Sequence, residues 1–493
     1  MRSLYQIAAM IFALAISVCA AQAQQQPTSD QTQQPQQPEQ QQGAEQPIPA
    51  YKSPLASQAD NGESIIGPTE LGPDNRPLTG IQDLSLGVPL DRHSYWQPHG
   101  EVDFTADSEP PQSGAGGWTT WTTLVGGVDL HKYSGQAALT FDYLGGGVFS
   151  NDGNVGNGVI QDANFDAEFS FRRWTLTLID EFRYTPETAF GNVGFGGIST
   201  TIGVPIGLPF GGDQTILSEF GQRLTNASAV QANVIISPRS SLTFSGGYSE
   251  LHFFDQDLLN STEIYAQAGY NYLLTKTDTI GVSYVYNGFR YSNFGQSIDT
   301  HSALLSYGRR ITGRLAFQIA AGPQFALFAT NISCSVTGAG ASACGSNNEL
   351  LWSLNTTLNY QLSSKTGFFA TYSHGITSGS GILAGAIGDT VLGTVTQQLS
   401  RTFSGNVEIG YARNHGLPVA VANLSTLNGT YDYWTAGAHL THPWGRTLQL
   451  VLGYDLQYQN SNSPFCLGTV CGGSYTRNLI SVGLGWRARP RTF

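Results

Sequence analysis

Residues 447–458 read TLQLVLGYDLQY, and this alternation of apolar and polar side chains decides the fold. The leucines and tyrosines occupy one parity, while Gln449, Asp455 and Gln457 occupy the other, where Val451 is the only large apolar residue. Successive side chains of a strand point to opposite faces, so this period of two predicts a β-strand with one apolar face. Similar runs recur at 165–172 and 350–361. With no helices to cover it, a face repeated this often must lie against another sheet or against lipid.

The N-terminus favours lipid. Arg2 precedes a short apolar run over 7–18, and Ala21-Gln22-Ala23 follows as a small-x-small cleavage pattern. Residues 1–23 are therefore predicted to be a secretory signal peptide. No other stretch reaches the ~18 consecutive apolar residues that a membrane helix needs. An exported chain that is rich in amphipathic strands indicates the outer membrane of a Gram-negative bacterium.

The composition agrees with a lipid-facing exterior. Charged residues make up only 12% of the chain, whereas about 25% is usual for soluble domains. Charge is costly on the lipid face of a barrel, which explains the deficit. The net charge of −12 argues against nucleic acid as a partner. No cofactor is expected.

The cysteines of the exported chain fall in two close pairs, Cys334 with Cys344 and Cys466 with Cys471. Neither pair has the His/Cys pattern of a zinc site, and no metal is expected. In an oxidising compartment, cysteines in local pairs are typical of disulfides. We therefore predict the disulfides Cys334–Cys344 and Cys466–Cys471.

Two regions follow the signal peptide. Residues 24–95 are rich in Gln and Pro, and later in Gly, Asp and Asn, so they are predicted to form a disordered or loosely ordered periplasmic segment. This tail is either a plain spacer or a tether to peptidoglycan or a periplasmic partner. Residues 96–493 are predicted to form an outer-membrane β-barrel.

Tight polar turns give the strand number. Each turn joins two alternating runs, and eight such hairpins supply sixteen strands. One more strand follows at 475–487, and its partner is best placed just before Trp118, at 99–107. We therefore predict an all-β, antiparallel up-and-down transmembrane barrel of about eighteen strands, with sixteen as the alternative. The turns lie near 131–135, 172–173, 237–240, 275–278, 310–313, 363–365, 400–402 and 442–446.

Connection lengths and aromatics orient this barrel. Short turns are expected in the periplasm and long loops outside the cell. Both cysteine pairs fall in long connections. Aromatic residues crowd the strand ends, as interfacial girdles do.

Two turn-containing segments and the C-terminal residue resemble those of a known class of proteins. The segments 307–315, YGRRITGRL, and 236–243, ISPRSSLT, together with the terminal Phe493, resemble the large outer-membrane β-barrel proteins of the porin class. The resemblance implies contact with outer-membrane lipid and insertion by the barrel assembly machinery. It also implies that an aromatic near the end of the last strand is the assembly signal. Trp486 and Phe493 are the two candidates, because Pro490 interrupts the final segment.

Two sets of residues are candidates for the channel. The long connection 185–221 is unusually apolar and is predicted to fold into the barrel mouth, although an external loop packed on its neighbours is the alternative. Its constriction candidates are Phe195, Ile198, Ile202, Leu208 and Phe210. Charges on polar strand faces are candidates for the pore wall. They are Asp166, Glu168, Arg172, Glu181, Arg183, Glu408 and Asp455.

The sequence favours a channel over an enzyme. Ser249, Glu250, His252 and Asp255 come nearest to a catalytic cluster, but adjacent strand positions face apart. No catalytic residue is therefore predicted. Barrels of ~16–18 strands are wide enough for an aqueous channel. The predicted function is passive diffusion of small hydrophilic solutes with weak ion selectivity. The alternatives are a polysaccharide-export or saccharide-specific barrel, and a surface anchor or adhesion barrel without transport.

Overall fold

The computed structural model describes residues 78–81, 94–108, 117–151, 157–186, 215–216, 222–254, 258–292, 296–330, 348–417, 429–462 and 475–493. These residues all belong to one compact unit, residues 51–493. Their regular structure is a single sheet of eighteen long strands and one two-residue strand. The strands are β1 Tyr95–Asp107, β2 Thr119–Ser134, β3 Ala137–Ser150, β4 Gly158–Ser170, β5 Trp174–Thr185, β6 Arg223–Ser237, β7 Ser240–Phe253, β8 Ser261–Leu273, β9 Asp278–Tyr291, β10 Gln296–Thr312, β11 Leu315–Thr330, β12 Asn348–Ser363, β13 Thr366–Thr377, β14 Ala386–Gln398, β15 Ser404–Gly416, β16 Thr430–Trp444, β17 Leu448–Ser461, β18 Tyr475–Arg487 and β19 Arg491–Thr492.

The sheet closes on itself. Each long strand pairs antiparallel with the next one along the chain, and β1 pairs with both β2 and β18. The predicted antiparallel barrel of eighteen strands is confirmed. The strand predicted at 99–107 is β1, which begins four residues earlier, at Tyr95. A closed ring satisfies the main-chain hydrogen bonds of every long strand and leaves no open edge among them.

The two faces of the barrel differ as the alternation predicts. In β17, Leu452 and Tyr454 point outward with 40% and 44% of their surface exposed, whereas inward-facing Asp455 keeps 1%. The same division holds in β18, where Ile480 and Val482 point outward and Ser481 points inward. Within the described residues, no helix is long and apolar enough to cross a membrane.

Connection lengths distinguish the two ends of the barrel, which we call the short-turn end and the long-loop end. The described residues begin and end the barrel at the short-turn end, because Tyr95 pairs with Thr492 as well as with His131, near the β2–β3 turn. After the break at Pro490, β19 resumes pairing with β1. Trp486 points outward from β18, and Phe493 is 63% exposed at the chain end.

A tyrosine arrangement recurs on the outward face near the long-loop end. A tyrosine on the strand that rises to the loop donates its hydroxyl to an amide or carboxylate on the returning strand. In each case the acceptor pairs with the residue two positions after the tyrosine. These pairs give the tyrosines polar partners on a lipid-facing surface, where an unpaired hydroxyl is costly. They are Tyr143–Gln161, Tyr286–Asp299, Tyr372–Asp389, Tyr411–Asp432 and Tyr454–Asn478.

Candidate functional site: the barrel lumen

The barrel lumen is lined by the polar face of the strands. Hydroxyl and amide side chains dominate, and they are largely buried, as Thr243, Asn271 and Gln457 illustrate. Polar groups this deep need hydrogen-bond partners or water. Such a wall suits hydrophilic solutes better than apolar ones.

Opposite charges meet on the lumen wall near the seam between β18 and β1. Arg477 and Asp107 form an ion pair with 2.7 Å between Nη2 and Oδ2, and both are almost fully buried. Arg487 contacts Asp129, whose other carboxylate oxygen lies 3.3 Å from Nδ1 of His99. Because removing one partner leaves an uncompensated buried charge, these pairs favour a closed seam.

The predicted pore-wall charges fall in four settings. Arg183 faces the lumen and pairs with Asp162 across β4 and β5, with 3.0 Å between Nε and Oδ2. Asp455 and Glu408 face inward from β17 and β15, with 1% and 6% of their surface exposed, and Asp455 lies 3.1 Å from Nε2 of His439.

Asp166, Glu168 and Glu181 share the parity of inward-facing Asp162 and Arg183 on β4 and β5. Arg172 lies in the exposed turn between these strands, at the short-turn end. The sequence pattern did not single out Asp162 or His439, although both lie on polar strand faces. Their partners are close only through strand pairing.

A second element of the lumen is the connection between β13 and β14, residues 378–385, which we call the mouth loop. It begins with a tight turn in which the N–H groups of Ile382 and Leu383 donate to the carbonyl of Gly379. Gly379, Ser380, Gly381 and Gly385 have positive φ angles. This left-handed backbone turns the loop sharply, and glycine adopts it without steric cost.

The mouth loop reaches across the barrel opening. Its Gly381 carbonyl accepts a hydrogen bond of 2.7 Å from the N–H of Leu259, between β7 and β8, and the Phe253 ring of β7 lies against Gly381. On the other side Leu383 packs in a buried cluster with Tyr431 of β16. Strands β7 and β16 are nine apart in a ring of eighteen and therefore lie opposite one another. The loop thus bridges opposite walls.

The end of the long connection 185–221 joins the mouth loop. Thr215 donates its N–H to Oγ of Ser380 (2.9 Å) and its hydroxyl to Oδ1 of Asn414 (2.9 Å). Ile216 is fully buried in the same cluster as Leu383. The predicted constriction candidates Phe195, Ile198, Ile202, Leu208 and Phe210 lie outside the described residues, so their inward placement stays a prediction. Both predicted disulfides and the signal peptide also lie outside the described residues and stay predictions.

A third element comes from the N-terminal tail. Residues 78–81, Leu-Thr-Gly-Ile, lie inside the lumen, and Leu78, Thr79 and Ile81 have 3%, 1% and 6% of their surface exposed. The prediction of a disordered or loosely ordered tail over 24–95 is therefore corrected at these four residues, as it is at Tyr95, the first residue of β1. The physical reason is that the lumen wall supplies the apolar contacts and hydrogen bonds that the segment cannot supply for itself.

Enzyme-like and metal-binding groupings find no support in the described part of the chain. Ser249 is buried on the inward face of β7, Glu250 has the opposite parity, and Asp255 is outside the described residues. No group of three or more His, Cys, Asp or Glu side chains in the described ranges is arranged to hold a metal ion.

The chain is similar to known proteins in structure but not in sequence. No protein-family model matches the chain, and no curated protein matches it in sequence. Solved outer-membrane proteins are similar in structure. OccK2 (OpdF) of Pseudomonas aeruginosa, in complex with glucuronate, has a TM-score of 0.39 at 8% identity, covering 81% of this chain and 98% of its own.

Two further structures are similar to the same extent. OpdK of Pseudomonas aeruginosa has a TM-score of 0.40 at 10% identity, covering 80% of this chain and 99% of its own. OccAB3 of Acinetobacter baumannii has a TM-score of 0.39 at 10% identity with the same coverage. The strand pairing of the chain itself, rather than these distant likenesses, establishes its fold.

Proposed function

We propose that this protein is an outer-membrane channel for the passive diffusion of small hydrophilic solutes. The observation that carries the proposal is a closed ring of eighteen strands that is apolar outside and polar inside. In lipid every main-chain polar group must be paired internally, and a closed barrel achieves this. A barrel of this strand number has room for an aqueous path.

The mouth loop limits the size of solute that passes. It crosses between opposite walls at the long-loop end, so the path is narrower there than the strand number alone would give. This supports a channel for small molecules over an export channel for polysaccharide, which needs a wide and unobstructed lumen.

The charges of the lumen support weak ion selectivity. Arg477, Arg487 and Arg183 each lie against a carboxylate of the wall. Because paired opposite charges largely cancel at a distance, these three ion pairs contribute little to ion selectivity. Reversal potentials in a salt gradient would be small.

A saccharide-specific channel is the second candidate. Buried inward amides such as Asn233 and Gln324 are able to donate and accept hydrogen bonds with sugar hydroxyls. A surface anchor without transport is the third reading, in which the lumen conducts nothing. The assembly signal, at Trp486 or Phe493, and a tether of the tail to peptidoglycan or a periplasmic partner remain part of the proposal.

Liposome swelling tests the proposal. Liposomes that contain the purified, heat-modifiable barrel should admit small neutral sugars and exclude oligosaccharides, because the mouth loop sets a size limit. Liposomes without protein are the control. A correctly folded barrel that admits no sugar of any size would contradict diffusion and favour the anchor. Uptake of one sugar but not of its size-matched relatives would favour the saccharide-specific channel.

A further inference from the structure

We propose that the short-turn half of the lumen wall is a binding site for an extended peptide. In this structure its occupant is the chain's own segment, residues 78–81, which we call the lumenal segment. We further propose that the occupied site narrows the path at this end. The narrowing rests on the proposed channel function, whereas the peptide site does not.

The wall binds the main chain of the lumenal segment through amide side chains. The N–H of Thr79 donates to Oδ1 of Asn271 (2.8 Å), and the N–H of Ile81 donates to Oε1 of Gln231 (2.7 Å). Nε2 of Gln318 donates to the carbonyl of Leu78 (3.2 Å). Alternate N–H groups are bound on one side, as expected for an extended peptide.

An apolar pocket holds one side chain of the segment. Ile81 packs with Ala227 and Ala229 of β6 and Tyr265 of β8, and Ile179 of β5 lies against the same cluster. Val285 of β9 also packs against this cluster. Burial of an isoleucine supplies the main driving force for docking.

Inward-facing glycines make room for the peptide. A Cβ at Gly269 of β8 would lie 2.2 Å from Oγ1 of Thr79, and one at Gly281 of β9 would lie 2.7 Å from its Cγ2. Glycine inside a strand often marks the close approach of another backbone. Two such glycines on neighbouring strands, both filled by the same threonine, indicate a site shaped for this segment.

The position of the segment explains why it would narrow the path. Its partners Gln231 and Gln318 belong to β6 and β11, five strands apart in the ring of eighteen. A segment that joins them runs along a chord of the ring. Asn271 and Gln318 lie near the short-turn ends of β8 and β11, and Gln231 lies near the middle of β6, so this chord lies between mid-height and the short-turn end.

Cysteine labelling of the full-length protein tests the site without reference to conduction. In a Thr79→Cys variant the thiol should react slowly with a maleimide, because Thr79 is 1% exposed. Adding Gln231→Ala and Asn271→Ala removes both main-chain acceptors and should raise the rate at position 79 on the order of tenfold. The matched control adds Asn406→Ala and Gln449→Ala, which remove buried inward amides from β15 and β17, and should leave the rate unchanged. Peptide mapping isolates position 79 from the native cysteines.

Single-channel conductance of the same variants tests the narrowing. The Gln231→Ala/Asn271→Ala protein should conduct more than the parent, and the Asn406→Ala/Gln449→Ala protein should match the parent. Fast labelling in the Thr79→Cys variant alone would overturn the peptide site. An equal increase in labelling rate from the Gln231→Ala/Asn271→Ala pair and from the Asn406→Ala/Gln449→Ala pair would overturn it too. If the Gln231→Ala/Asn271→Ala substitutions raise the labelling rate at position 79 but leave the conductance unchanged, the proposal that the segment narrows the path is wrong. If labelling follows the prediction while no variant conducts, the peptide site stands and the channel function fails.

Discussion

The mouth loop and the lumenal segment both place backbone inside the barrel, but they are held in different ways. The loop is anchored at both ends in neighbouring strands, and its turn depends on positive φ angles at Gly379, Gly381 and Gly385. The lumenal segment is held by three wall amides and one apolar pocket. The comparison suggests that the loop is a permanent constriction and that the segment is a removable one.

Substitution of Gly381 should have the largest effect. In Gly381→Ala the new Cβ would lie 2.1 Å from the Phe253 ring at a φ of +78°, so the loop or the ring must shift, and we expect the strained loop to move from its position across the mouth. We expect a conductance increase larger than that of any lumenal-segment variant. Gly445→Ala is the control, because Gly445 has a φ of +83° with no atom within 4 Å of its Cβ position. It adds only the backbone strain of about 1–2 kcal/mol. Equal conductance of both variants and the parent would place the constriction elsewhere.

Release of the lumenal segment by crowding should give the next largest effect. In Gly269→Ala the added methyl group would occupy the space of Thr79, so the segment should leave while the strand remains intact. Conductance should rise to the level of the Gln231→Ala/Asn271→Ala protein. Gly375→Ala is the control, because its Cβ would meet side-chain atoms of the lumen at an ordinary 3.6 Å. An increase in both variants, or in neither, would remove the distinction between the two regions.

The link between the long connection and the mouth loop should have a smaller effect. Asn414→Ala removes the side chain that accepts from the Thr215 hydroxyl and donates 3.2 Å to the Thr215 carbonyl. Leaving these buried groups unpaired costs about 1–3 kcal/mol. We expect noisier single-channel currents, with flickering between levels, and a lower melting temperature. Steady currents and an unchanged melting temperature in Asn414→Ala would show that the mouth loop keeps its position without the hydrogen bonds between Asn414 and Thr215.

The disulfides should affect conductance least. Cys334–Cys344 and Cys466–Cys471 are predicted to close short loops at the long-loop end, where they would restrict the unfolded chain by up to ~3 kcal/mol in the chain-entropy model. Reduction should lower the melting temperature and leave the open-channel current unchanged. Non-reducing peptide mapping checks the pairing, and four maleimide-reactive thiols in the exported protein would exclude it.

Much of the barrel was predictable because its strands and turns are determined by residues that are close together in sequence. Period-two runs such as 447–458 predict strands and their faces, and short polar turns such as 172–173 predict hairpins. Those turns give sixteen strands, and the runs at 99–107 and 475–487 bring the number to eighteen, which the structure confirms. Arg172 marks the limit of this reasoning, because it lies in a turn although its parity also suits the pore wall.

The lumenal elements were not predictable because their partners are remote in sequence. Long connections were expected outside the cell, yet the contacts of Gly381 in the mouth loop come from Phe253 and Leu259. The contacts of the lumenal segment likewise come from five different strands. The inward-facing glycines at 269 and 281 are compatible with the close approach of another backbone, but they do not identify that backbone.

Single-channel recording of the purified full-length protein in planar bilayers would show whether the barrel holds a continuous water-filled path. Heat-modifiable migration would first establish that the barrel is folded. We expect discrete, stable conducting steps in the parent, with larger steps in Gly381→Ala than in Gly269→Ala. A folded parent and folded variants that show no conducting steps at all would contradict a water-filled channel.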